Sequence, residues 1–141
     1  MNDLFNLERF LEAQEQSYQN ALEEIRNGRK ESHWMWYIFP QIKGLGSSSM
    51  SNFYGLKNLE EAEAFLSHPI LGKRLVEICT VLLGLDESDA YSIFGSPDHL
   101  KLKSCLTLFS EVENTNQIFE QLLSKYFNSK YDEITLSMID S

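Results

Sequence analysis

The sequence predicts an all-α fold, a single compact multihelical domain over residues 1–141 with about seven to eight helices. Apolar residues recur at three- and four-residue steps along most of the chain, which is the period of helices with one buried face. No two segments alternate apolar and polar residues as paired strands would. The chain has the length of one domain, and its 43% of hydrophobic residues is enough for one core.

The first predicted helix is long and begins after Asp3, whose carboxylate suits a helix N-cap. Gly28 suits its end, because glycine readily adopts the left-handed conformation found after many helices. The apolar stripe between these two residues consists of Leu4, Leu7, Leu11, Tyr18, Leu22 and Ile25.

An aromatic segment, residues 33–39, follows a short polar link and fits either a strand or a short buried helix. We expect a helix there, because no partner strand appears elsewhere in the sequence. Residues 41–51 form a loop that contains Gly44, Gly46 and three consecutive serines, and a short helix then runs to Leu56.

Caps and stops separate the remaining predicted helices. Asn58 with Glu61 three residues later resembles a capping box, and Pro69 fits the first position of a helix. Gly84 and Gly95 fit helix ends. The predicted spans are 58–67, 69–84, 86–94, 96–112, 115–127 and 132–139.

Charge and composition argue against several classes of function. The formal net charge is −9, which disfavours extended nucleic acid and anionic membranes as partners, while a small local anion site is compatible with it. No apolar run approaches the ~18 residues of a membrane span, and no secretory signal is present, so we expect a cytoplasmic protein. Cys79 and Cys105 form neither a disulfide framework nor a zinc pattern, and we expect no metal and no cofactor.

Gln14 falls on the apolar stripe of the first helix, beside Tyr18. A polar group on a buried face must find a partner or cost about 1–3 kcal/mol. Gln14 is therefore either a structural residue that bonds a loop backbone or an amide that contacts a polar ligand, with Tyr18 next to it.

The helix opened by Ser96-Pro97 carries a charge pair, Asp98 and Lys101, on its apolar stripe. One interpretation is a partly exposed ion pair in which Lys101 extends to the rim. The other is a pocket wall, where Ser96, the backbone N–H groups of the helix start and Lys101 hold a phosphate or carboxylate. The opposite face of this helix is predicted to hold His99, Lys103, Thr107 and Ser110.

Both tryptophans, Trp34 and Trp36, lie next to His33 in the aromatic segment. Indoles fill cores, but they also stack on flat ligands, and a histidine titrates near neutrality and can act as an acid or base. The Gly46-Ser47 pair belongs either to an ordinary loop or to one whose backbone and hydroxyl approach a ligand.

Three stretches resemble the Domain of Unknown Function family 1810, and the likeness spans nearly the whole chain. This resemblance implies a compact all-helical fold and no established activity. The stretches are residues 28–41 (GRKESHWMWYIFPQ), 68–72 (HPILG) and 93–104 (IFGSPDHLKLKS).

The order of several short motifs also looks loosely like the NADAR proteins. The motifs are Ala13-Gln14, Gly28-Arg29, the tryptophan segment and Phe94-Gly95-x-x-Asp98-x-x-Lys101. This second resemblance implies a helical protein that acts on N-glycosidic bonds of ribose-phosphate compounds, including ADP-ribose adducts. It places Arg29 among the candidate ligand-binding residues.

Two functions are expected as alternatives. The first is binding, and possible N-glycosidase-like hydrolysis, of a phosphorylated ribosyl or nucleotide-like molecule such as an ADP-ribose-like compound. The second is a non-catalytic module that binds an unknown protein partner or senses a ligand, using residues 33–39. In the alternative with a phosphorylated ligand, Trp34 or Trp36 stacks on the base and Lys101 holds the phosphate. Gln14 contacts a polar edge of the ligand, and Asp98 or His33 is the acid or base.

Overall fold

The computed structural model describes residues 3–140, in which nine α-helices follow one another along the chain. The all-α prediction is confirmed, since the backbone pairing outside helices in this range is a single isolated bridge, Ile42 to Leu56. The helices are α1 (Glu8–Arg26), α2 (Met35–Ile38), α3 (Ser49–Tyr54), α4 (Leu59–Ser67), α5 (Leu71–Leu83), α6 (Ala90–Phe94), α7 (Asp98–Ser110), α8 (Ile118–Phe127) and α9 (Glu133–Asp140).

The core forms where α1, α5, α7 and α8 meet. Helix α5 packs against α1, α4 and α8, while α7 contacts α4, α6, α8 and α9. Aromatic rings join these helices: the ring of Phe109 in α7 has its centroid 5.6 Å from those of Phe65 in α4 and Phe119 in α8. Helix α7 is therefore enclosed over most of its length, and its first turns are what remains at the surface.

Helix α1 begins at Glu8, four residues later than the apolar stripe predicts. The Asp3 carboxylate does accept hydrogen bonds from the backbone N–H groups of Leu7 and Glu8, at 2.7 and 3.0 Å. Leu4 lies in the turn before the helix and is 74% exposed, so its placement on the buried stripe is wrong. Gly28 lies just past the helix end with φ +75°, the left-handed conformation that a glycine at this position predicts.

Side-chain caps set the starts of α4, α5 and α6. The predicted cap of α4 is confirmed, since the side-chain oxygen Oδ1 of Asn58 accepts the N–H of Glu61 at 2.9 Å. Helix α5 begins at Leu71, two residues after Pro69, because His68 Nδ1 accepts the backbone N–H groups of Ile70 and Leu71. Helix α6 begins at Ala90 rather than at residue 86, because Asp89 caps it.

Thr107 is fully buried, so its prediction on the exposed face of α7 is wrong. Helix α9 packs against α7, and Thr107 Oγ1 accepts the backbone N–H of Asp132 at 2.9 Å. The helical period predicts a solvent-exposed face on the side of α7 opposite the core. In the structure, α8 and α9 both pack on α7, so this face is partly covered.

Within residues 3–140, no helix has the length and apolar character needed to cross a bilayer. In the same range, no group of three or more histidine, cysteine, aspartate or glutamate side chains is arranged to hold a metal ion.

Candidate functional site

A surface cleft of about 270 Å³ lies between the loop after α2, the first turns of α7 and the start of α9. We call it the α7 cleft. The loop contributes Gln41, Leu45 and Gly46, and α3 contributes Ser51. Helix α7 and the residue before it contribute Pro97, Leu100, Lys101, Lys103 and Ser104, and the α9 side contributes Asp132 and Ile134. Trp36 lies next to the cleft, in a small cavity that shares Gln41, Gly46 and Ser51 with it.

The loop wall of the cleft is closed at its base by backbone hydrogen bonds. The N–H of Lys43 donates to the Leu56 carbonyl at 2.7 Å, and the N–H of Leu56 donates to the Gln41 carbonyl at 2.9 Å. At the tip, Gly46 packs so closely on Ser51 that a Cβ at Gly46 would lie 2.5 Å from its hydroxyl oxygen. Glycine is therefore required for this wall to keep its shape.

Arg9 anchors the other end of the same loop from α1. Its guanidinium donates to the carbonyls of Phe53 and Gly55, at 2.8 and 3.2 Å, and pairs with Glu61 at 2.8 Å. Two further hydrogen bonds, at 2.7 Å each, reach the carbonyls of residues 5 and 6. All five N–H donors of Arg9 are thus used, so the residue acts as a structural anchor that the sequence did not reveal.

Lys101 projects its ammonium group into a defined position at the cleft. The nitrogen lies 5.5 Å from the centroid of the Trp36 ring and 3.6 Å from Asp98 Oδ1. The Lys101 side chain is 25% exposed and lines the cleft. The sequence predicted each of these three residues as a site residue, and the structure brings them together.

A second lysine, Lys30, forms an ion pair with Asp98. Its ammonium lies 2.8 Å from Asp98 Oδ2, and its side chain is 7% exposed. It also donates to the Ser32 carbonyl at 2.6 Å and lies 5.0 Å from the centroid of the Trp34 ring. Asp98 is therefore fixed between two ammonium groups, and Lys30 is a neighbour of the site that the sequence did not single out.

The backbone at the start of α7 is largely occupied. The N–H of His99 donates to the Gly95 carbonyl at 2.9 Å. Those of Leu100 and Lys101 donate to the Pro97 carbonyl, at 3.0 and 3.3 Å. Ser96 is exposed and does not line the cleft. An anion here would consequently be held by side chains more than by the helix start.

Trp34 lies beneath the site with 1% exposure, so a ligand in the surface cleft does not reach its ring. Its indole N–H donates to Glu24 at 3.0 Å. Glu24 is itself buried and also accepts the backbone N–H groups of Glu31 and Ser32, at 2.7 and 2.9 Å. Burial alone would raise the pKa of the Glu24 carboxyl, but these hydrogen bonds outweigh it and lower the pKa to about 2.

Gln14 and Tyr18 lie together on α1, away from the α7 cleft. Gln14 Nε2 donates to the Tyr37 carbonyl at 2.8 Å, and its Oε1 accepts from Arg74 at 3.3 Å. The Tyr18 hydroxyl donates to Glu77 and to the Arg74 carbonyl. Burial, followed by the bond to Glu77, raises the pKa of Tyr18. Both side chains have protein partners, as the structural interpretation of Gln14 expects.

Three other candidate residues are exposed and do not line the cleft: His33, Arg29 and Ser47. In the aromatic segment 33–39, five of the seven residues are buried, and only Trp36 and His33 reach the surface. Most of this segment is therefore core, which leaves little of it to contact a partner.

A family model described as a protein of unknown function, DUF1810, matches residues 4–139. The chain belongs to the DUF1810 family. A solved structure similar to this DUF1810 protein is the crystal structure of a conserved hypothetical protein from Mycobacterium tuberculosis. The two are 44% identical with a TM-score of 0.96, over 99% of each chain. No curated protein matches the chain.

Proposed function

We propose that this DUF1810 protein binds a small phosphorylated molecule, ribosyl or nucleotide-like, in the α7 cleft. The observation that carries the proposal is the Lys101 ammonium, held at the cleft between the Trp36 ring and Asp98 while still partly exposed. Such a preset cation attracts a phosphate without first having to be ordered.

The local charge supports an anionic ligand despite the net charge of −9. Lys103 also lines the cleft, and its ammonium group has no ion pair with any residue from 3 to 140. The nearest acid to Lys101, Asp98, is already neutralised from behind by Lys30 at 2.8 Å. Asp132 adds a carboxylate to the lining, so the lysines at residues 30, 101 and 103 outnumber the two carboxylates at the site. The field inside a cleft follows these nearby groups rather than the total charge.

Gln41, Gly46 and Ser51 supply the opposite wall for the phosphate. An amide and a hydroxyl donate hydrogen bonds to phosphate oxygens, and glycine allows the backbone to approach closely. These groups lie across the cleft from α7, so a phosphate between the two walls meets a cation on one side and neutral donors on the other.

Asp98 acts in this proposal as a positioning residue for Lys101. Its two carboxylate oxygens lie 2.8 and 3.6 Å from two different ammonium groups, so both oxygens are engaged within the protein. That arrangement favours binding without turnover, as in a ligand-sensing module, over the hydrolysis of an N-glycosidic bond that the NADAR resemblance implies.

The test is a thermal-shift titration with inorganic phosphate, ribose 5-phosphate and ADP-ribose. A ligand at 100 times its Kd stabilises by about 2.7 kcal/mol, which for a chain of this size is a Tm shift of several degrees. We expect at least one compound to raise the Tm of the wild type and to lose most of that effect in Lys101→Met.

Lys130→Met is the matched control, because Lys130 is an exposed lysine outside the cleft. It makes the same change of charge and should retain the full shift. Equal shifts in Lys101→Met and the wild type, or no shift with any compound, would refute the proposal. Product analysis by chromatography on the same samples then decides between binding and hydrolysis.

A further inference from the structure

We infer that the side of the α7 cleft formed by Leu100, Lys103 and the start of α9 binds a nucleobase-like ring, so that the ligand is a mononucleotide. This inference rests on the proposed function, because it places the ring relative to a phosphate at Lys101. It also locates the ring at residues other than the tryptophans.

Neither indole presents a free face inside the cleft. Trp34 is 1% exposed, and Trp36 lines the small neighbouring cavity with the Lys101 ammonium over one of its faces, 5.5 Å from its centroid. A ring that stacked on that face would have to displace the cation that holds the phosphate. The apolar part of the ligand must therefore lie elsewhere in the cleft.

Two large aliphatic side chains at the cleft rim offer that surface. Leu100 is 54% exposed and Ile134 is 62% exposed, and both line the cleft from opposite helices. Clustered exposed apolar groups at the mouth of a cavity are typical of ligand sites. A flat ring between these two side chains would remove apolar surface of both from water.

Polar groups beside this surface match the edge of a nucleobase. Lys103 presents an ammonium that donates only, and Asp132 presents a carboxylate that accepts only. Asp132 Oδ2 accepts hydrogen bonds from the N–H and the hydroxyl of Thr135, at 3.0 and 2.6 Å. No residue from 3 to 140 donates to Asp132 Oδ1. A donor and an acceptor that line the same cleft can pair with an acceptor and an N–H of a base edge, which a plain hydrocarbon ring lacks.

The helix geometry places the two lysines at different ends of the ligand. Lys101 and Lys103 are two residues apart on α7 and so project roughly 200° apart around its axis. Leu100 and Ser104 lie on the face between them and form part of the cleft wall. One cation thus meets the phosphate while the other meets the ring.

The size of the cleft sets the upper limit of the ligand. Its volume of about 270 Å³ is below the ~300–1,000 Å³ of pockets that enclose drug-sized molecules. One base, one pentose and one phosphate match this space, whereas ADP-ribose would leave its second ribosyl phosphate in solvent.

The experiment compares calorimetric Kd values for ribose 5-phosphate, uridine 5′-monophosphate and adenosine 5′-monophosphate. We expect at least one nucleotide to bind the wild type ten times more tightly than ribose 5-phosphate does. Leu100→Ser and Ile134→Ser should each lower the nucleotide affinity at least fivefold while the Kd of ribose 5-phosphate changes less than twofold. Ile70→Ser, at an aliphatic residue 44% exposed outside the cleft, is the control for Leu100→Ser and should change neither value.

The outcomes separate the two proposals. If ribose 5-phosphate binds through Lys101 but neither nucleotide binds more tightly, the ring site is refuted and the phosphate site stands. The ring site is equally refuted if Leu100→Ser and Ile134→Ser weaken ribose 5-phosphate and the nucleotides alike. If no compound binds, the phosphate site fails and the ring site fails with it.

Discussion

The Glu24 carboxylate gathers five hydrogen bonds from a single turn and its own helix. The donors are the backbone N–H groups of Glu31 and Ser32, the hydroxyl of Ser32, the amide of Asn20 and the indole of Trp34. Together they tie residues 31–34 to α1 and hold Trp34 in the core. The site depends on this turn, because the same segment carries Lys30, which fixes Asp98.

Replacing this carboxylate should destabilise the protein. Glu24→Gln puts an amide NH₂ among groups that all donate, so at least one buried donor loses its acceptor, at a cost of about 1–3 kcal/mol. Urea unfolding at pH 7 measures the change. Glu23→Gln is the control, since Glu23 is exposed and lies 3.9 Å from Arg26, and it should change stability by less than ~0.5 kcal/mol. Equal effects of the two variants would contradict the role given to Glu24.

The same residue predicts a pH dependence. The pKa of Glu24 is lowered in the fold from its ordinary 4.5 to about 2, so its contribution to stability is complete above pH 4.5 and is lost as the pH falls toward 2. The difference in unfolding free energy between the wild type and Glu24→Gln should therefore shrink over that interval. A difference that stays constant from pH 5 to pH 2.5 would show that the carboxylate is not the titrating group.

At the scale of elements, α7 and α9 share one hydrogen bond that positions a wall of the cleft. Thr107 Oγ1 donates to the Lys103 carbonyl at 2.8 Å and accepts the N–H of Asp132 at 2.9 Å. Asp132 then caps α9 through Thr135. The side chains of Asp132 and Ile134 reach the cleft because this chain of contacts fixes the start of α9.

Thr107→Val should cost about 1–3 kcal/mol, because valine keeps the shape but leaves the Asp132 N–H without its acceptor. The amide of Asp132 should also exchange with solvent faster. Thr80→Val is a matched control, since Thr80 makes the same bond to the carbonyl four residues earlier, at 2.7 Å, on an exposed face. Urea unfolding and hydrogen exchange measure both variants, and similar losses in both would contradict this account.

The helices could be predicted from the sequence because their caps and stripes are local. The Asn58 cap and the stops at Gly28 and Gly95 depend on residues within one turn. Arg9 and Glu24 could not be predicted in this way. They lie at roughly 140° and 200° from Leu22 around α1, outside the apolar stripe, and are buried only because distant segments fold over that side.

The candidate site was predictable only in part. Lys101 and Asp98 attract attention as charges on an apolar stripe, and Trp36 as one of two tryptophans. Leu100 and Ile134, in contrast, follow no unusual pattern, since single exposed apolar residues are common on protein surfaces. Their shared position at the cleft arises from the packing of α9 against α7, which no local spacing encodes.

At the scale of the whole molecule, the two cysteines lie inside one continuous core. Cys79 in α5 and Cys105 in α7 are both fully buried, and burial raises the pKa of each thiol. Neither sulfur has the exposure or the lowered pKa of a reactive cysteine. Their accessibility depends on opening the interface of the central helices.

Thiol labelling should therefore report unfolding of the molecule as a whole. In native buffer, an aromatic disulfide reagent should react with neither cysteine at the rate of a free thiol, and in denaturing urea it should react with both. The labelling rate should follow the free energy of unfolding across urea concentrations, because the thiols become accessible when the core opens. Rapid labelling of one thiol in native buffer would contradict a single cooperative core.

The bridge between Ile42 and Leu56 holds the two ends of the intervening segment together, so the rest of the fold does not depend on the length of its loop. The entropy of closing a loop changes slowly with its length, by about 0.6 kcal/mol for each doubling. Insertions at the exposed Ser47, before the Ser48 cap of α3, should accordingly have little effect on folding while they change how far the loop reaches over α7. This loop is thus a position at which the wall of the α7 cleft can be redesigned while the helices that form the core stay unchanged.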